Sequence, residues 1–182
     1  LKKNNITSSQ ILSIGISNQR ETTVLWDKTN GIPINRAIVW QDRRTNYICK
    51  KLRDQKLEKK VQKITGLVID PYFSATKIKW ILDNNPKAKK LIKEKKLLFG
   101  TIDTWLLWNL TERKSHLTDI TNASRTMLYD LEKEDWSHEI LTYLNIPKDI
   151  LPEVTQNTYD FGSTNLFGDP IPIGGMAGDQ QA

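Results

Sequence analysis

The chain has 182 residues, 38% of them hydrophobic and 26% charged, with a net charge of +6. That is enough for one sizeable domain with its own core. It lacks any apolar run near the length of a membrane span, and its opening residues are not expected to be a signal peptide. The sole cysteine, Cys49, excludes an internal disulfide and suits a reducing cytoplasm. His116 and His138 have no cysteine or histidine partner at ligand spacing, which argues against a metal site. The positive charge leaves a nucleic-acid partner open. The lysines, however, gather between Lys56 and Lys63 and between Lys87 and Lys96, with Glu58 and Glu94 among them. Leu57, Val61, Leu91 and Ile92 fall there at helical spacing, so these are the solvated faces of amphipathic helices rather than a nucleic-acid surface.

In chain order, Ile11-Leu12-Ser13-Ile14-Gly15-Ile16 alternates like a buried strand. Thr22-Thr23-Val24-Leu25-Trp26 is rich in β-branched and aromatic residues, as strands are. Between them stand Arg20 and Glu21. A guanidinium only donates hydrogen bonds and a carboxylate only accepts them. A hydroxyl does both, so the two side by side can orient a polyol. The alternative is a surface ion pair on a hairpin. Asn30-Gly31 predicts a tight turn, with a return strand through Ile34 and Ala37-Ile38-Val39-Trp40. Two or three antiparallel strands therefore open the chain. Trp40 is either core or one wall of a pocket.

Helices are expected over 45–53 and 57–64, the second closed by Gly66. The segment 66–73 is not helical, since Pro71 biases Asp70 to an extended conformation. It delivers Tyr72 on a loop, either packed or lining a ligand site. Ser74 is expected to cap a helix over 75–82, and a lysine-rich helix follows over 86–95. Leu97-Leu98-Phe99-Gly100 predicts a buried strand. Thr101-Ile102-Asp103 caps a strongly apolar helix over 104–110 near the centre of the core, with Asp103 as a cap. The stretch 118–126, dense in hydrogen-bonding side chains, reads as a bracing loop. A helix over 136–144, turns over 146–152 and a loop over 161–170 come next. Ile171-Pro172-Ile173 is a short strand, after which Gly174 to Gly178 turn the chain tightly to Asp179. Residues 178–182 resemble the opening of a helix, for which Asp179 would be an ordinary N-cap, and the sequence is expected to be a piece of a longer protein. Helices interleaved with strands make the class α/β, and the opening hairpin makes the sheet mixed. Neither a dinucleotide nor a Walker-type phosphate loop is present.

Several blocks, taken together, resemble the FGGY carbohydrate kinases, and within them the glycerol-phosphorylating branch. They are Asn18-Gln19-Arg20-Glu21-Thr22, Ala37-Ile38-Val39-Trp40-Gln41, the stretch Thr65 to Ser74, Phe99 to Trp105, Thr121 to Thr126 and Ala177-Gly178-Asp179-Gln180-Gln181. Ser74, Lys77 and Trp80 also fit the wider family's signature. The resemblance runs nearly end to end. It implies a ribonuclease-H-like, actin-like fold, with residues 1–182 forming part of the N-terminal, polyol-binding domain. The family's Asp-Gly-Thr phosphate loop and its C-terminal, ATP-binding domain would lie outside the chain, which alone would be inactive. The implied reaction is ATP-dependent phosphorylation of glycerol to sn-glycerol 3-phosphate by a cytoplasmic, homo-oligomeric enzyme using Mg2+. By the same resemblance, Arg20 and Glu21 bind glycerol hydroxyls. Trp40 packs on the carbon chain, Tyr72 touches the ligand and Gln180 holds another hydroxyl. Asp179 binds glycerol and acts as the general base. The loop Leu166-Phe167-Gly168-Asp169-Pro170 lacks the basic residue with which some family members bind fructose bisphosphate. Two alternatives are a kinase of the same family acting on a pentulose or gluconate, and a basic, non-catalytic binding module.

Overall fold

The computed structural model describes residues 1–182, the side chain of Lys2 excepted. Two strands open it, β1 (Ile14–Asn18) and β2 (Val24–Asp27). Four helices follow: α1 (Asn46–Asp54), α2 (Glu58–Thr65), α3 (Ser74–Asn84) and α4 (Pro86–Lys93). Then come β3 (Leu97–Gly100), α5 (Ile102–Leu110), β4 (Leu117–Asp119) and the short α6 (Ile120–Ala123). The remaining elements are β5 (Tyr129–Asp130), β6 (Asp135–Trp136), α7 (His138–Leu144), β7 (Glu153–Thr155), β8 (Ser163–Thr164) and β9 (Ile171–Gly178).

The helices obey their end signals. In α2, Gly66 adopts the left-handed conformation (φ 71°) that closes a helix. In α4, the Asn85 side chain accepts from Lys87 N at 2.9 Å, with Pro86 in the first turn. Val61 and Thr65 of α2 and Ala88 and Leu91 of α4 are buried, and the lysines of both helices face outwards. Ser74 departs from expectation. Phe73 is the N-cap residue of α3, and the Ser74 hydroxyl instead donates to the Glu21 carbonyl at 3.1 Å.

The strands pair differently from a hairpin. β1 lies parallel to β9, with Asn18 opposite Gly178, and β8 adds antiparallel to β9. β2 pairs antiparallel with β3. The segment after the Asn30-Gly31 turn returns antiparallel along 23–27 through the isolated bridges Trp26–Pro33 and Thr23–Ile38 and the bond from Ile34 N to Leu25 O at 2.9 Å, without forming a continuous strand. The expected sheet of opening antiparallel strands is thus corrected for β1, while the antiparallel return of the chain along β2 is present in part. A tight bend at Glu21, where Thr22 N donates to Arg20 O at 2.7 Å, sends the chain from one sheet to the other. The glycine run 174–178, expected as a turn, continues β9 instead. Glycine is disfavoured inside strands unless another chain segment approaches closely. At Gly178 it does: a Cβ there would lie 2.4 Å from Arg20 Cδ. The expected loop over 118–126 is a short strand and one helical turn, with Asp119 capping α6 at Thr121 N.

Three apolar clusters fill the interior. The largest packs the helices against Leu25, Phe99, Met127 and Leu128. A second joins Ile16 and Met176 of the parallel pair to Leu107 and Phe161. A third gathers Val24, Trp26, Leu98 and Trp108. α5 serves the last two at once, with Leu107 on one side and Trp108 on the other, which explains why it is apolar all round. Asp103 is not its cap. It is fully buried and accepts from the hydroxyls of Thr101 at 2.5 Å, Thr118 at 2.6 Å and Thr104 at 3.2 Å. Burial pushes its carboxyl up to about 6 against those hydrogen bonds.

His116 packs edge-on against Trp26 and Trp108, with ring centroids 5.6 and 6.0 Å away. Its Nε2 lies 2.8 Å from the Phe99 carbonyl, so Nε2 carries the proton. Burial pulls its pKa down to about 4. Between there and the ordinary value near 6.5, the unfolded chain binds more protons than the folded one, so the His116 contribution falls as pH falls. Asp103 works with the opposite sign between its ordinary value and about 6. Comparing wild type with His116→Gln cancels that background. In urea unfolding, the advantage of wild type over this variant should shrink by about 2 kcal/mol between pH ~7 and pH ~5.

Candidate active site

β1 and β9 end side by side, and Asp179 N extends the pairing by donating to Asn18 O at 2.9 Å. Arg20 and Asp179 therefore emerge together at the carboxyl ends of two parallel strands, where open α/β sheets bind ligands. Arg20 Nε stands 3.9 Å from Asp179 Oδ1, and its Nη1 donates to Gln181 Oε1 at 3.0 Å. The Asp179 side chain is half exposed. Residues 178–182 do turn, with Gln181 N and Ala182 N both donating to Gly178 O. The Asp179 carboxylate accepts no backbone N–H among the described residues, so it is not acting as a cap.

Glu21 is not paired with Arg20, and the surface ion pair on a hairpin is ruled out by its burial. Its side chain is 3% exposed, and its Oε1 accepts from Arg125 Nε at 3.0 Å. Its backbone sits in the left-handed region, φ 61°. That conformation is strained for a glutamate and persists only when its surroundings enforce it. The Arg125 guanidinium also lies over the Phe73 and Tyr72 rings, 5.0 and 5.8 Å from their centroids. Tyr72 packs in turn on Trp40, centroids 5.6 Å apart. Asp70 sets Tyr72 in place by accepting from Tyr72 N at 2.8 Å.

A cleft of about 520 Å³ opens between these side chains, lined by Gln19, Arg20, Glu21, Trp40, Tyr72, Asp179 and Gln180. Its size is ordinary for a small-molecule site. The structure thus brings Arg20, Glu21, Trp40, Tyr72, Asp179 and Gln180 into one cavity from four separate stretches of chain. Beneath them a polar brace joins the strand ends. Asn18 and Asn122 exchange amide hydrogen bonds at 2.9 and 3.2 Å, and the Thr121 hydroxyl accepts from Gly178 N at 2.8 Å. Gln19 lines the cleft and Arg125 holds Glu21 from behind it, and neither is among the residues expected there. Arg125 had a visible signal, its place in a stretch dense in hydrogen-bonding side chains, but its partner lies far away in the chain.

Comparison with known proteins bears on what such a cleft serves. The N-terminal domain of the FGGY family of carbohydrate kinases matches residues 1–182. The chain belongs to the FGGY family of carbohydrate kinases. It is 55% identical over 184 residues to a protein of Clostridium tetani named glycerol kinase 1, covering 100% of this chain and 37% of that relative. It matches a crystal structure of Plasmodium falciparum glycerol kinase with ADP at a TM-score of 0.88 and 39% identity, over 93% of this chain and 34% of the other. A xylulose kinase of Rhodospirillum rubrum shares the fold at a TM-score of 0.81 and 19% identity, over 93% of this chain and 35% of the other. The FGGY chain described here therefore spans well under half the length of the relatives it matches.

Proposed function

We propose that this chain is the polyol-binding part of an ATP-dependent glycerol kinase, which converts glycerol to sn-glycerol 3-phosphate. The observation that carries this reading is the convergence of a cation, two carboxylates, two amides and two aromatic walls on one cleft. The likeness to relatives named glycerol kinase supports it. In this reading Trp40 and Tyr72 lie along the carbon chain of the triol. Arg20 donates to one hydroxyl, Glu21 accepts from it or its neighbour, and Gln180 serves another. Asp179 accepts the proton of the hydroxyl that attacks. An alcohol is a weak nucleophile at neutral pH, and a carboxylate in hydrogen-bond reach removes its proton as the phosphoryl group arrives. Arg20, 3.9 Å from Asp179, keeps that carboxylate facing the cleft.

ATP is the phosphoryl donor in this proposal, and Mg2+ accompanies it. Among the described residues no group of three or more His, Cys, Asp or Glu could hold a metal ion. Glu21 is already engaged by Arg125. In this proposal the nucleotide and its metal would be bound mainly by other parts of the full-length enzyme, which would be cytoplasmic and homo-oligomeric. No helix of the described residues is long and apolar enough to cross a membrane.

Substituting Arg20→Ala in the full-length protein tests the substrate. Glycerol KM should rise roughly tenfold or more, as expected for losing a charged hydrogen bond to the ligand, with ATP KM unchanged. Unaltered glycerol KM would remove Arg20 from the site. A wild-type preference for xylulose or gluconate over glycerol would replace this reading with another sugar kinase of the family.

A further inference from the structure

Behind the cleft stands Lys77 of α3, fully buried. No carboxylate lies within ion-pair distance of it among the described residues. Its ammonium donates instead to two main-chain carbonyls, Tyr72 O at 2.5 Å and Glu21 O at 3.3 Å. Ser74, three residues earlier on the same helix, donates to the same Glu21 oxygen at 3.1 Å. Filling the space would not require a charge; a buried ammonium is costly, and an apolar side chain of similar length would pack there more cheaply. Glu21 and Tyr72 come from separate segments and form adjoining walls of the cleft. Glu21 also holds a strained left-handed backbone that some contact must enforce.

We propose that Lys77 is a positioning residue: its ammonium, with the Ser74 hydroxyl, ties the Glu21 and Tyr72 carbonyls to α3 and so fixes the carboxylate and the aromatic wall that receive the polyol. The proposal rests on the glycerol-kinase reading of the cleft. It differs from simple core packing in making glycerol recognition depend on the charge of a group that never touches glycerol. Burial pulls the Lys77 amine down to about 8, against the carboxylates of Glu21, Asp42 and Asp70 that face it and hold the proton on; the buried Cys49 thiol also lies near. The charged clamp is therefore complete below about pH 8 and loosens as pH rises through that value.

The test uses full-length wild type, Lys77→Met, Ser74→Ala and, as control at a half-buried position on the same helix but outside the cleft lining, Lys79→Met. Lys77→Met should raise glycerol KM roughly tenfold or more and Ser74→Ala about threefold, with ATP KM unchanged in both and the control like wild type. Wild-type glycerol KM should climb between pH about 7 and about 9, and the Lys77→Met profile should be flat over that range. A folded Lys77→Met protein with wild-type glycerol KM, or one whose glycerol and ATP KM rise together, overturns the role of Lys77. Should Lys77→Met not fold, an unchanged KM in Ser74→Ala together with a flat wild-type profile overturns it as well. Wild-type protein that does not phosphorylate glycerol overturns the reading of the cleft itself, and this proposal with it. Wild type that does, alongside an indistinguishable Lys77→Met, overturns Lys77 alone.

Discussion

Asp179→Asn in the full-length protein should lower kcat for glycerol by about 10²- to 10⁴-fold, the range over which a positioned general base acts. Glycerol KM should move far less, because the amide keeps the shape and one hydrogen-bond acceptor of the carboxylate. The structure gives this expectation its form. Asp179 follows the end of β9, anchored by its own N–H on Asn18 O at 2.9 Å. Its carboxylate is half exposed, is not spent on a cap, and meets Arg20 Nε only at 3.9 Å. It is free to accept a proton from a bound alcohol. Steady-state kinetics at saturating ATP, with kcat and glycerol KM resolved separately, checks this. An unchanged kcat would remove Asp179 as the base and leave it a binding residue at most.

The second large effect is expected at Arg125. Glu21 is 3% exposed at its side chain, and its Oε1 accepts from Arg125 Nε at 3.0 Å. Arg125→Ala strips that carboxylate of its cation and removes the guanidinium from the faces of Phe73 and Tyr72. Urea unfolding should show a loss of about 2–4 kcal/mol, the cost of an orphaned buried charge moderated by the partial exposure of Arg125. Adding Glu21→Gln should recover a measurable part of that stability, because the uncompensated charge is then gone. It should not recover glycerol binding, for which Glu21 is proposed as an acceptor. A double variant no more stable than Arg125→Ala would mean that the aromatic stacking, and not the ion pair, is what Arg125 supplies.

Local chemistry made much of this molecule legible. Gly66 closing α2 and the apolar spacing of Val61 or Leu91 are signals read within one or two turns of chain. What escaped is non-local. β1 finds its partner in β9, almost the length of the chain away, so a nearby β2 looked like the natural neighbour. The glycines of 174–178 read as a turn because the segment that approaches them is invisible in sequence. Asp103 and Ser74 sit where caps usually sit, yet each turns inward to a distant partner: Thr118 for one and the Glu21 carbonyl for the other. In the cleft, the residues themselves were legible as blocks, while the bonds that hold them were not. The pairing of Glu21 with Arg125 instead of Arg20 is the clearest case.

The parallel pairing of β1 with β9 also dictates a timetable. During synthesis the first strand leaves the ribosome long before its partner, and elongation proceeds at only about 5–20 residues per second. In that interval the helices can fold on contacts close in sequence, which form fastest, and the longer-range β2–β3 pair can join them. Arg20 must wait until β9 slides into register and delivers Asp179, whereas Glu21 can already meet Arg125. The cleft is thus completed only once β9 has been made, and a nascent chain stalled before Ile171 should already resist proteases in its helical half while lacking the Asp179 and Gln180 side of the cleft.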